Sequence, residues 1–116
     1  MIYIYDVETA PNFFSVVLMQ YKGDDGMVFE ISNRVNQSKE LDDFLKENPT
    51  LIGYNNHSYD DPMIVAASKG YTNRKLYNLS CKLINMDDGK DKWDLMRKYK
   101  LKCNSIDLIR LLFSRK

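Results

Sequence analysis

The sequence predicts an α/β domain whose sheet starts as an antiparallel meander and is extended by parallel strands. Three features point to it. Asp25-Gly26 lies between two runs rich in β-branched and aromatic residues, a strong short-range hairpin signal. Leu41, Phe44 and Leu45 recur at i, i+3 and i+4, the spacing of a helix with one apolar face. A short apolar run, Thr50-Leu51-Ile52-Gly53-Tyr54, follows that helix directly. A strand reached through a helical crossover is expected to lie parallel to its predecessor and beside it.

Taken in order, Met1 to Asp6 or slightly beyond reads as a buried strand rich in Ile and Tyr. Pro11-Asn12 turns the chain, Phe13 to Tyr21 is the second strand, and Met27 to Ile31 the third, after the turn Gly23-Asp24-Asp25-Gly26. Ser38 is the expected cap of the first helix, which Asn48-Pro49 ends. Asp61-Pro62 reads as a cap followed by proline at the first helical position, with the helix running to Gly70. Leu76, Leu79, Leu83 and Ile84 predict a helix over Thr72 to Met86, broken by Asp87-Asp88-Gly89. Trp93, Met96 and Arg97 mark a short helical segment. Asn104 to Phe113 is a strand, or a strand running into a helix.

At 116 residues the chain is one domain, 1–116. No apolar run approaches the ~18 residues of a membrane span. No signal-peptide pattern opens the chain, so a cytoplasmic location is expected, that of the host cell if the protein is phage-encoded. Two cysteines in no ligand spacing and the single histidine His57 argue against zinc and for reduced thiols. Charge is divided unevenly: residues 1–68 carry a net −7 and residues 69–116 a net +8. An acidic half beside a basic half suits a metal site next to a phosphate-binding surface, or simply two solvated faces. The basic stretch holding Arg74, Lys75, Lys82, Arg97, Lys98 and Lys100 is the candidate for phosphate contacts.

Asp6 and Glu8 are two residues apart in the first strand, so their side chains leave the same face. Adjacent carboxylates repel unless one is protonated or a cation lies between them, and a divalent ion is the expected solution. A second cluster, Tyr54-Asn55-Asn56-His57-Ser58-Tyr59-Asp60, leaves a strand and enters a helix.

Together the two clusters resemble the DEDD superfamily of 3′–5′ exonucleases, in particular the proofreading domains of phage DNA polymerases. The family's first motif, Asp-x-Glu in the first strand, is matched by Asp6 and Glu8. Its second, an Asn followed after a short gap by an aromatic residue and Asp, is matched by Asn55, Tyr59 and Asp60. The resemblance implies a ribonuclease-H-like fold with flanking helices. It also implies a site for two Mg or Mn ions, with Asp6, Glu8 and Asp60 as metal-binding catalytic carboxylates. Thr9 would offer its backbone to a terminal nucleotide, with Asn55 nearby; Phe13 and Phe14 read first as core, with stacking on a base the alternative.

The family's third motif, Tyr-x-x-x-Asp or a His followed later by Asp, has no match. None of Asp87, Asp88, Asp91, Asp94 and Asp107 has Tyr four residues before it. The sequence therefore reads as truncated before that motif, near Lys116. Loss of a general base typically costs 10²–10⁴-fold, so the resemblance implies weak or absent hydrolysis. The alternative is a non-catalytic, phage-encoded inhibitor of a host nucleoprotein complex, anti-CRISPR-like in role. Simple nucleic-acid binding is a third reading.

Overall fold

The computed structural model describes residues 1–113. Lys116, where the sequence reading sets the break before a third motif, lies outside the described residues. The elements are β1 (Ile2–Ala10), β2 (Phe13–Gln20), β3 (Gly26–Ser32), α1 (Ser38–Lys46), β4 (Thr50–Gly53), α2 (Asp60–Ser68), α3 (Asn73–Asn85), α4 (Lys90–Lys98), β5 (Asn104–Asp107) and α5 (Leu108–Phe113). One five-stranded sheet has the order β3-β2-β1-β4-β5. The first three strands pair antiparallel, and β4 and β5 add parallel to β1 and to one another. The expected meander with parallel additions is therefore present.

Strand alternation sets the two faces of this sheet. Tyr5 and Val7 of β1, Phe14, Val16 and Leu18 of β2 and Leu51 of β4 are buried. Leu41 of α1, Met63 and Ile64 of α2, and Leu76 and Leu83 of α3 close the same core. Phe44 of α1 lies edge-on to Tyr3, their ring centroids 5.2 Å apart. The alternate residues Ile4, Val17, Met19 and Val28 are exposed. Register makes them neighbours: Ile4 opposes Met19, and Asp6, Val17 and Val28 form a row across three strands. An exposed apolar patch continuous over several strands is unusual on a monomer surface.

β1 runs on through the acidic pair to Ala10, because β2 pairs with it along the whole length, Asp6 opposite Val17 and Glu8 opposite Ser15. Its parallel partner stops sooner. β4 pairs with Ile2 to Ile4 only, ends at Gly53, and the chain turns away through Asn55 in the left-handed region (φ 57°). The acids thus lie past the carboxyl end of β4, where open α/β sheets form their crevices.

Three local expectations differ from the structure. Ser38 is the first residue of α1 rather than its cap; Gln37 holds that place, and the Ser38 N–H donates to the Asn36 side chain. α2 begins at Asp60 because the Asn56 carbonyl accepts from Asp61 N–H, and the Tyr59 carbonyl accepts from Met63 N–H. Pro62 is then the third helical residue, still inside the first turn where a missing N–H costs no helical bond. Ile84 is exposed, off the stripe of Leu76, Leu79 and Leu83 that faces the core. α3 starts at Asn73, with Thr72 as its cap accepting from Lys75 N–H. Among the described residues no helix is long and apolar enough to cross a membrane.

Gly53 is the tightest joint of the site. A Cβ there would stand 2.9 Å from Cβ and Cγ of Asn56, a fully buried side chain with no room to retreat. Gly53→Ala is expected to destabilise the fold by about 1–3 kcal/mol, read as a lower urea midpoint with unchanged m-value.

Candidate functional site

The predicted carboxylates come from β1 and from the start of α2. Asp6 and Glu8 stand exposed on the open side of the sheet. Asp60, first residue of α2, is buried. Its carboxyl pKa is pushed up to about 7, by burial first and then by the negative charges of Asp6, Asp61, Asp107 and Glu8. All three predicted acids therefore share one electrostatic environment. They do not form a closed cage: among the described residues, no three His, Cys, Asp or Glu side chains converge to hold a metal ion.

The donor chemistry is that of a hard cation. Mg²⁺ takes oxygen ligands, retains several waters and is commonly held by only one or two carboxylates together with substrate phosphates. The exposed Asp6–Glu8 pair fits that mode of binding. Thr9, the next residue, leaves the opposite, core-side face of β1, where its hydroxyl is buried without a hydrogen-bond partner, as is the Asn56 side-chain carbonyl.

Behind these acids lies a network absent from the sequence reading. Tyr5 hydroxyl donates to Asp61, and Ser105 hydroxyl donates to the other Asp61 oxygen at 2.6 Å. Asn56 Nδ2 donates to Ser105 Oγ at 2.9 Å. Burial raises the Asp61 pKa, while the bonds from Ser105, Tyr5 and Asn56 pull it back. His57 Nε2 lies 3.0 Å from the Ser105 carbonyl, which accepts its proton and so sets the tautomer. The network ties β1, the β4–α2 loop, α2 and β5 together. No motif advertises it, since its members are 49 and 56 residues apart in sequence.

Asp107, at the end of β5, is buried and turned to structural use. It accepts from the backbone N–H groups of Asn55 at 2.7 Å, His57 at 3.1 Å and Ile109 at 3.1 Å. Both oxygens are engaged, so it fixes the loop that carries Asn55 and leads to Asp60. Asn55 itself is exposed, and its side-chain oxygen accepts from Ser58 hydroxyl at 2.9 Å. Phe14 is fully buried in the core, its first reading, and cannot stack on a base; Phe13 is half-buried.

The basic candidates fall into two groups. Arg74, Lys75 and Lys82 are exposed on α3. Arg97 and Lys98 lie at the end of α4, with Lys100 just beyond. Lys75 stands over the Tyr71 ring and Lys98 over the Tyr99 ring, at 5.7 and 5.4 Å from the centroids. Arg97 pairs with Asp94.

No protein-family model, curated protein or solved structure matches the chain.

Proposed function

We propose that the chain is a DEDD-type exonuclease-like protein of ribonuclease-H-like architecture. It binds nucleic acid and a divalent ion, with weak or absent hydrolysis of 3′ ends. One observation carries this reading: Asp6 and Glu8 leave the same face of β1 past the end of β4, and Asp60 is buried at the start of α2, its carboxyl pushed up by burial first and then by Asp6, Asp61, Asp107 and Glu8. The strand order supports it.

In this reading Asp6 and Glu8 hold Mg or Mn, and Asp60 adds a third carboxylate from the start of α2. The chemistry such an ion supplies is activation of water and neutralisation of charge on the scissile phosphate. Thr9 and Asn55 position the terminal nucleotide. Asp107 holds the loop through its three backbone bonds and contributes no free oxygen. A base to orient the attacking water is therefore wanting among the described residues, which limits the rate.

A second reading has its own observation. The apolar row of Ile4, Met19, Val17 and Val28 lies open beside the acids, as an interaction surface would. That favours a non-catalytic inhibitor seated on a host nucleoprotein complex.

The test is a Mn²⁺ titration followed by thermal unfolding. Wild type is expected to gain about 10 °C in Tm at a hundredfold excess over Kd. The Asp6→Asn, Glu8→Gln double variant is expected to gain nothing. Single-stranded DNA and RNA incubated alongside would show slow 3′ shortening with wild type alone. Absence of any metal-induced shift overturns the metal reading, and uncut substrate with an intact shift leaves the inhibitor reading.

A further inference from the structure

Away from the open face of the sheet, α4 and the segment running into β5 frame a cavity of about 630 Å³. Its size is within the range of small-molecule sites. Trp93, Arg97, Lys100, Lys102 and Arg110 line it, four cations around one indole. The only acid in its lining is Asp61, whose carboxylate is already bonded to Tyr5, Asn56 and Ser105. Among the described residues Lys100 and Lys102 form no ion pair, whereas Arg97 is shared with Asp94 and Arg110 stands 3.8 Å from Asp107. Trp93 is 49% exposed, although it is the bulkiest apolar side chain in the sequence. The Arg110 guanidinium lies 5.5 Å from its ring centroid.

A second cavity, of about 460 Å³, flanks the same segment. It shares Arg97, Lys100 and Lys102 and adds Lys46, Lys69 and Lys98 with one acid, Asp42, which pairs with Lys46. The stretch from Arg97 to Lys102 is therefore a cationic ridge between two hollows, and among the described residues aromatic rings, Trp93 and Tyr99, line the first of them alone.

We infer that the cavity beside Trp93 is a nucleotide site. The base stacks on the indole, one face of which Arg110 already covers, and the phosphate is held by Lys100 and Lys102, with Arg97 at its edge. Stacking on an aromatic ring is worth about 1–3 kcal/mol per base and tolerates any base. Two unpaired lysines supply the charge a phosphate requires at little desolvation cost. The ligand is either a free mononucleotide or one unit of a strand whose next phosphate crosses the ridge. The inference shares its ligand class with the nucleic-acid reading above and rests on it to that extent, but uses none of its carboxylates.

Trp93 is the sole tryptophan, so its fluorescence reports this cavity alone. The experiment is a titration with AMP, with a short oligoadenylate and with inorganic phosphate, all in EDTA so that failure of the carboxylate site leaves the result untouched. Quenching saturable below about 1 mM by AMP or the oligonucleotide is expected, with phosphate at least about tenfold weaker for want of a ring. Equal affinity for AMP and oligonucleotide identifies a free nucleotide as ligand; tenfold tighter oligonucleotide binding identifies a strand. Lys100→Ala with Lys102→Ala, both exposed and so harmless to folding, should weaken binding at least about tenfold. No quenching by either nucleotide, or quenching unaltered in the double variant, overturns the site.

Discussion

Asp107→Ala is expected to lower stability by about 4 kcal/mol, among the largest losses a single substitution in this chain would produce. The carboxylate is 3% exposed and accepts from three backbone N–H groups in two separate segments. Removing it leaves those donors without a partner, at about 1–3 kcal/mol each where water cannot reach. Asn55 is exposed and its amide can turn to solvent, so the sum stays below the maximum. Loss of one negative charge near Asp60 returns a little more. For a chain of this length the deficit corresponds to about 15 °C in Tm. Asp107→Asn keeps one accepting oxygen and should lose roughly half as much. A Tm within about 4 °C of wild type for the alanine variant would show that these bonds do not hold the loop.

That role illustrates what the sequence makes legible. Local signals worked wherever one element decides its own form. Asp25-Gly26 marks the hairpin, and the run Thr50 to Gly53 forms β4 beside β1. Signals one or two residues in error lie where a longer-range bond chooses the start. α2 begins at Asp60 because the Asn56 carbonyl reaches the Asp61 N–H, not because of Pro62.

The site divides in the same way. The Asp6–Glu8 pair is readable from its spacing on a strand, whereas Asp60 is singled out only by the resemblance, through Asn55 and Tyr59 before it. Asp107 and Ser105 act only because β5 pairs in register with β4, Gly53 opposite Asp107 and Leu51 opposite Ser105. No short-range pattern encodes that contact. The basic residues were legible as charge and not as arrangement. Lys102 and Arg110 line the cavity with Trp93, while Arg74, Lys75 and Lys82 of α3 line neither cavity.

The second large effect is a dependence of stability on pH that Asp60→Asn should largely remove. In the fold the Asp60 carboxyl is pushed from 3.8 up to about 7, so between those values the folded chain binds a proton that the unfolded chain has released. Stability falls with pH wherever the native state holds more protons. The contribution is therefore fully present below pH 3.8, shrinks through the interval and is lost above about 7. Asp61, also raised by burial, acts in the same direction.

Glu30 works the other way, but its carboxyl is lowered to about 2 by Arg34 and Ser32, so its loss belongs to the acid limb below pH 4.5. One pKa unit is about 1.4 kcal/mol. With half the Asp60 shift discounted for solvent screening, the charged carboxylate costs the fold about 2 kcal/mol at pH 8. About 1.4 kcal/mol of this falls between pH 5 and pH 8, so wild type should lose about 5 °C of Tm over that interval, while Asp60→Asn, isosteric and uncharged, stays more nearly level. Mn²⁺ at pH 8 should restore much of the loss in wild type, since a cation offsets the repulsion that the proton relieves at pH 5. Parallel pH profiles for the two proteins would mean that the acids of β1 and α2 do not feel one another, and the carboxylate site would have to be abandoned.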